Sequence, residues 1–505
     1  SLPKLSADDP YRLTMQAAAQ AELGNAYREK LQNAVEAAGK ALDISPGSGS
    51  VRSFLADSYM ELWRLALAQN NDELMRVYKS EVLRYAPNPE NYRKELDGLG
   101  SLELTIEPDS AEVYLFRFET LRPTDQKGNP LPARLVPVPY DVQNLKSDDA
   151  FLRAEQDRAK NGEAVINGTH SIFRLDPSSG SRLGSGKISL SGLPPGSYML
   201  LLTALNYAET RVPFKMERMG AVNRRIQMPL SKEILPGFFY VAGGDVWIGG
   251  DSANALARQK KTFAPFLMYH DEISMGDYAQ FLKSIGGAAK SHLPRDFGKP
   301  LAVLTSNGLA PANGADAAQF AKSPVRGISY NDVMAYIDWR SKHDGVAYRL
   351  PTEIEWEGTC RGADGRKYSW GNQPGKGLAI VTQGYGDSGS NMSWKWEDYK
   401  DESPFGVHNL AGGVAEWTSS LYDEKAKPTD PVYGQRAIRG NAWSLPPTGL
   451  ECAFRTSGQP DYFHPTIGFR LAADWPVKRT GTPQAPPDET DNHEHAVATP
   501  TPTPV

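Results

Sequence analysis

The spacing of apolar residues changes character along the chain, and each change marks a predicted element boundary. Over about residues 8–85 the period is helical: Ala17, Ala18, Ala21, Leu31, Val35, Ala38 and Leu42 share one face, and Pro46-Gly47 closes that pair of helices. A second pair is predicted after it. Phe54, Leu55, Tyr59, Leu62, Trp63 and Leu67 face inward, Asn70-Asn71-Asp72 turns the chain, and Leu74, Val77, Tyr78 and Leu83 return before Pro87. At Gly98 the period drops to two. Leu102, Leu104 and Ile106 alternate with polar residues, Pro108-Asp109-Ser110 turns, and Val113 and Leu115 continue as a strand. A polar insert over about 122–186 interrupts the alternation, which resumes at Ile188 and Leu190 and passes the turn Leu193-Pro194-Pro195-Gly196 into strands over 199–203 and 211–216.

A third region opens at Phe238 with a strand, a glycine turn and a second strand, followed by a strand over 266–274. Two helices are predicted, 275–284 and 330–343, because Ser274 with Asp277 and Ser329 with Asp332 have capping-box spacing. Thr352 before Glu353, Glu355 and Glu357 reads as a third helix start, with Trp356 buried. Past Trp475 apolar content falls away, and the Pro- and Thr-rich stretch 477–505 is expected to be disordered. The predicted domains are 1–97 helical, 98–232 β-module, 233–476 mixed, and this tail. The fold class is multidomain α+β.

Length agrees: 505 residues exceed what one core organises. A net charge of -5 without a long basic run gives no footprint for nucleic acid, so no nucleic-acid partner is expected. No apolar run is long enough to span a bilayer, so any membrane attachment would come from a segment outside this chain. The start at Ser1 rather than Met is what a processed form or a piece of a longer protein would show. Cys360 and Cys452 stand in apolar settings and read as buried free thiols, with one disulfide as the alternative in an oxidising compartment. No Cys/His cluster has zinc-ligand spacing.

Two segments of the first half carry resemblances. The predicted helical hairpins resemble tetratricopeptide-type repeats, and the pieces around Ile106-Glu107-Pro108 and Leu193-Pro194-Pro195-Gly196 resemble the small β-sandwich modules of bacterial surface proteins. The second half carries more. Ala242-Gly243-Gly244, Arg349-Leu350-Pro351-Thr352-Glu353, Trp356-Glu357, Trp370-Gly371-Asn372, Asn409-Leu410-Ala411-Gly412, Glu416-Trp417, Arg439-Gly440 and Gly468-Phe469-Arg470 follow one another in an order that resembles the formylglycine-generating enzyme and sulfatase-modifying-factor family. The resemblance implies a variant of the C-type lectin-like fold.

It does not bring the family's oxidase chemistry. Where that chemistry uses a copper-binding cysteine pair, this sequence has Leu445 and Leu450, so no copper and no catalysis are expected. The resemblance implies a calcium site at Asn409, Gly412, Val414 and Glu416, whose oxygens suit a hard cation; the alternative is that Glu416 pairs with an arginine such as Arg439 or Arg470. The loop around the degenerate active site, with Trp443, Leu445, Arg455, Asp461, Tyr462, Phe463 and His464, is the expected contact surface for an unknown ligand or protein partner. The whole order of segments resembles the C-terminal, non-kinase region of bacterial multidomain serine/threonine protein kinases. The implied function is a non-enzymatic, extracytoplasmic sensor or binding region. A copper-dependent oxidase and a purely structural or adhesive module are the alternatives.

Overall fold

The computed structural model describes residues 10–69, 71–161, 181–250, 252, 254–297, 299–305, 308–312, 314, 316–375, 377–380, 401–444 and 449–480. The expected disordered tail therefore lies almost entirely outside the described residues, as does Leu445. The chain divides into two compact units. One comprises 1–101 with 190–195 and 217–222; the other comprises 102–189, 196–216 and 223–505.

The first unit is built on α1 (Pro10–Ile44), α2 (Gly49–Ala68), α3 (Asp72–Tyr85) and α4 (Glu90–Asp97). Ser48 caps α2 by accepting from the Val51 N–H, Asn71 caps α3 through Leu74, and Gly98 ends α4 in the left-handed region at φ 59°. Met60, Leu62, Trp63, Ala66, Tyr78, Val82 and Leu96 form the core, and the Arg218 guanidinium lies 4.7 Å from the Trp63 ring centre. The expected first helical hairpin is instead one helix of 35 residues, because nothing stronger than isolated glycines interrupts its pattern. Phe54 and Val77, expected to face inward, are 48% and 50% exposed.

After the helices come β1 (Gly100–Glu107) and β2 (Glu112–Leu121), then β3 (Arg134–Asp141), β4 (Lys146–Ser147), α5 (Asp149–Lys160), β5 (Arg182–Ser185), β6 (Lys187–Leu193), β7 (Gly196–Thr203), β8 (Thr210–Met216) and β9 (Ala221–Gln227), all in the second unit except 100–101, 190–193 and 221–222. One sheet runs β4-β3-β2-β7-β8 with β5 also on β2, and a second runs β6-β1-β9. The insert over 122–186 is thus not merely polar. It supplies β3, whose Val136 and Val138 pack with Leu121 and with Ala159 of α5. Pro137 and Pro139, facing Phe118 and Phe116 across the ladder, hide this strand from a reading based on alternation.

Most of the β-module shares the second compact unit with the C-terminal region. Their joint is specific: Leu135 N–H donates to the Trp370 carbonyl (2.7 Å), Ser197 Oγ to Asp364 (2.6 Å), and the buried Arg211 pairs with Glu402 at 2.6 Å. In the C-terminal region α6 (Met275–Ile285), α7 (Ala317–Lys322), α8 (Tyr330–Asp344) and α9 (Glu353–Arg361) surround two four-stranded sheets. The first orders Phe238–Val241, Phe266–Tyr269, Ala472–Asp474 and Tyr348–Arg349; the second orders Arg455–Gly458, Arg436–Arg439, Ala415–Leu421 and Ile467–Gly468. Ser329 and Asp332 form the expected capping box on α8, and Ser274 caps α6. Phe266, Met268, Trp356, Val407, Leu410 and both cysteines fill the core.

Candidate functional site

Thr352 caps α9 through the Glu355 N–H, and the Glu355 side chain returns to the Thr352 N–H, so the helix start predicted from sequence is present as a full capping box. Its three glutamates are each matched by arginine. Arg349 grips Glu355 through two bonds of 2.7 and 2.8 Å. Arg455 grips Glu353 at 2.6 and 2.9 Å, and Glu357 takes Arg439 at 2.6 Å, Arg361 at 3.1 Å and the Gly249 N–H at 2.6 Å. Buried charge of this kind is tolerated when every carboxylate is paired and hydrogen-bonded. These carboxylates brace the fold, as the reading of a helix start implies, and none is left to act as an acid or base.

The oxygen set expected for calcium is organised differently. Glu416 is wholly buried, with Arg470 donating to both its oxygens at 2.7 Å and the Trp356 indole N–H to one of them at 2.9 Å. The arginine partner weighed as the alternative is present, and it is Arg470. Asn409 donates to Asp271 (3.3 Å) and Glu272 (3.4 Å), the Val414 N–H donates to Glu272 (3.1 Å), and the Gly412 N–H donates to Asp401 (3.0 Å). Gly413 holds φ 78°, and a Cβ there would come within 2.2 Å of the Glu272 carboxylate. Burial, together with the neighbouring charges of Glu416 and Asp271 and against the pull of Arg470, pushes the Glu272 carboxyl up to about 8.

Cys360 and Cys452 are not free thiols. They are joined in a disulfide with Cα atoms 5.8 Å apart, which corrects the sequence-based expectation: two cysteines 92 residues apart give no sign of their pairing until the fold brings α9 to the segment ahead of Arg455–Gly458. Leu450 is buried against Tyr368, Trp370 and Ala411, a packing position. Both cysteines of the sequence are therefore engaged with each other, and the thiolate pair of the oxidase centre is missing.

The loop after Arg455–Gly458 forms an open cleft of about 630 Å³ lined by Gln435, Ser457, Gly458, Gln459, Asp461, Tyr462 and Phe463. Its walls are held from behind. The Asn331 N–H donates to the Pro460 carbonyl at 3.0 Å, and Arg295, paired with Asp332 at 2.8 Å, stacks 4.1 Å from the centre of the Phe463 ring. Gly458 must lack a side chain, because a Cβ would meet Tyr462 at 2.6 Å and Trp417 at 2.8 Å. Three of the seven expected contact residues, Asp461, Tyr462 and Phe463, share this cleft. His464 lies just beyond, hydrogen-bonded to Thr466 at 2.7 Å and edge-on to Phe297, with burial drawing its imidazole pKa down. Arg455 is withdrawn from any ligand by its pairing with Glu353. Trp443 is half-buried and its backbone N–H is bonded to Gly413. Gln435, Ser457 and Gln459 escaped notice in the sequence, where isolated amides and hydroxyls carry no pattern.

Residues 225–475 match the family of the Sulfatase-modifying factor enzyme 1-like domain. A formylglycine-generating enzyme of Mus musculus is 33% identical over 171 residues, covering 30% of this chain and 44% of that protein. The inactive C-alpha-formylglycine-generating enzyme 2 of Bos taurus is 32% identical over 162 residues, covering 30% of this chain and 50% of that protein. Among solved structures, PvdO from Pseudomonas aeruginosa aligns over 47% of this chain and 94% of its own, at 22% identity and a TM-score of 0.35. The chain spans half or less of the length of these two curated relatives. The C-terminal region is thus related to the sulfatase-modifying-factor family, lacks the oxidase's cysteine pair, and is set in a multidomain α+β chain.

Proposed function

We propose that the C-terminal domain is a non-enzymatic binding domain that contacts its ligand or protein partner through the cleft at Asp461, Tyr462 and Phe463. One observation carries this reading: the domain keeps a braced, aromatic-walled cleft of about 630 Å³ while its cysteines are tied in a disulfide. The disulfide favours an oxidising, extracytoplasmic setting. Among the described residues no helix is long and apolar enough to cross a membrane. The finer reading is that the chain is the extracytoplasmic part of a bacterial serine/threonine kinase signalling protein. It rests on the order of helical, β and sulfatase-modifying-factor-like segments, and the reading frame upstream of Ser1 tests it. Calcium at Asn409, Gly412, Val414 and Glu416 is tested by whether the added ion raises the melting temperature of the parent and not of Glu416→Gln, the Glu416 carboxylate being already held by Arg470 and Trp356.

The test is a melting-temperature screen of the full chain against peptides, glycans and cell-wall fragments, repeated on Tyr462→Ala and Asp461→Asn. A ligand at a hundredfold excess over its Kd stabilises by about 2.7 kcal/mol, a shift easily read. The binding reading expects at least one class to raise the melting temperature of the parent and not of the variants. If no class does so, or if both variants respond as the parent does, the structural or adhesive alternative takes its place.

A further inference from the structure

We propose that His270, Asp271 and His408 form a binding site for a first-row divalent metal ion of the zinc type. His270 and Asp271 follow directly on the strand Phe266–Tyr269, and His408 lies in the loop ahead of the strand Ala415–Leu421. The fold brings one ligating atom from each to within 4.8 Å of the others. Two imidazoles and one carboxylate are a donor set with affinity for zinc and its neighbours, and they leave further positions for water or an incoming ligand.

The three side chains are placed before any ion arrives. The His408 N–H donates to the His270 carbonyl at 3.1 Å, which fixes the two segments to each other. Tyr269 stacks on the His270 ring at 4.8 Å between centres, while Phe239 lies edge-on to His408 at 5.9 Å. Asn409 donates to one oxygen of Asp271 at 3.3 Å, and the other oxygen faces His270 Nδ1 at 2.8 Å. Such outer partners orient metal ligands and are part of a working site.

Distances and charge are both compatible. Metal–nitrogen and metal–oxygen bonds of about 2.1 Å at tetrahedral angles set ligand atoms about 3.4 Å apart. A gap of 4.8 Å must therefore close by about 1.4 Å, and His270, 34% exposed, has the freedom to turn its ring inward. That exposure also opens the site to solvent. The nearby cations already have partners: Arg470 is answered by Glu416, and Arg211 by Glu402. Arg470 also acts on the Asp271 carboxylate, so an arriving cation shares that charge with a guanidinium whose direct ion pair is to Glu416.

Zinc titration of the full chain by calorimetry tests the proposal, with cobalt(II) absorption as the spectroscopic check on the ligand set. His493 and His495 in the tail are first changed to alanine, so that they cannot account for uptake. One zinc per chain is expected, and His270→Gln and Asp271→Asn should each weaken binding by at least about tenfold. Melting of both variants in metal-free buffer should match the parent, which separates lost binding from lost folding. Absence of stoichiometric zinc uptake by the folded parent overturns the proposal. So does uptake that both substitutions leave unchanged, which would leave His270 and Asp271 as a hydrogen-bonded pair only.

Discussion

Glu416→Gln tests whether the buried pair with Arg470 is a structural brace. The substitution keeps size and shape but removes the charge that answers a guanidinium with no exposed surface. Two bonds of 2.7 Å are converted to neutral ones or lost, since an amide can accept through only one of its two ends. Breaking a buried pair by neutralising one partner costs about 3–5 kcal/mol. Arg470 keeps the carbonyls of His270 at 3.2 Å and Asn409 at 3.1 Å, which argues for the low end, about 3 kcal/mol. At about 2–4 °C per kcal/mol for a large domain, the melting temperature should drop by about 6–12 °C. Urea unfolding followed by tryptophan fluorescence gives the same quantity, and Trp356, hydrogen-bonded to Glu416, reports directly on the site. The double change Glu416→Leu with Arg470→Met should recover most of the loss, because it buries no unpaired charge. A single-variant loss under about 1 kcal/mol, the scale of an exposed pair, would refute the reasoning. So would added calcium that stabilises the parent and not Glu416→Gln, which would restore the oxygen set at Asn409 and Glu416.

Replacing both Cys360 and Cys452 by alanine should cost about 2–4 kcal/mol in chemical denaturation, since the bond closes a long loop of the unfolded chain; thiol titration of the denatured, unreduced protein should find neither cysteine free. Glu155 on α5 is buried, with Arg158 on one oxygen at 2.9 Å and no hydrogen-bond partner for the other among the described residues. Burial pushes its carboxyl pKa up. The stability it contributes is therefore present below the ordinary glutamate range and is lost as pH rises through the raised value. Glu155→Gln should flatten the fall in stability as pH rises above about 4.5 relative to the parent, and parallel slopes for the two proteins in urea titrations there would contradict the assignment.

Legibility in the sequence follows from what kind of force places each residue. The capping pairs at Ser329 and Thr352 are local: donor and acceptor lie three residues apart, so the spacing alone shows them. The buried Trp356 was legible, whereas the arginine partners of the α9 glutamates were not, since Arg439 and Arg455 come from strands far along the chain. Whether Glu416 would meet Arg439 or Arg470 depends on a parallel pairing of Ala415–Leu421 with Ile467–Gly468, which no local pattern reveals. The disulfide was missed for the same reason, its halves being joined only by tertiary packing. In the insert the failure was of another sort. Prolines at 137 and 139 and a polar surround masked a strand whose burial comes from α5 on its far face. The candidate cleft was half legible: Asp461, Tyr462 and Phe463 stand together in sequence, whereas Gln435 joins them only because Arg436–Arg439 pairs with Arg455–Gly458. His270 and His408 are further apart still and have no ligand spacing at all, so a metal site there can be argued only from the fold. The caps, fixed by neighbours in sequence, were read correctly; residues fixed by a strand register far along the chain needed the structure.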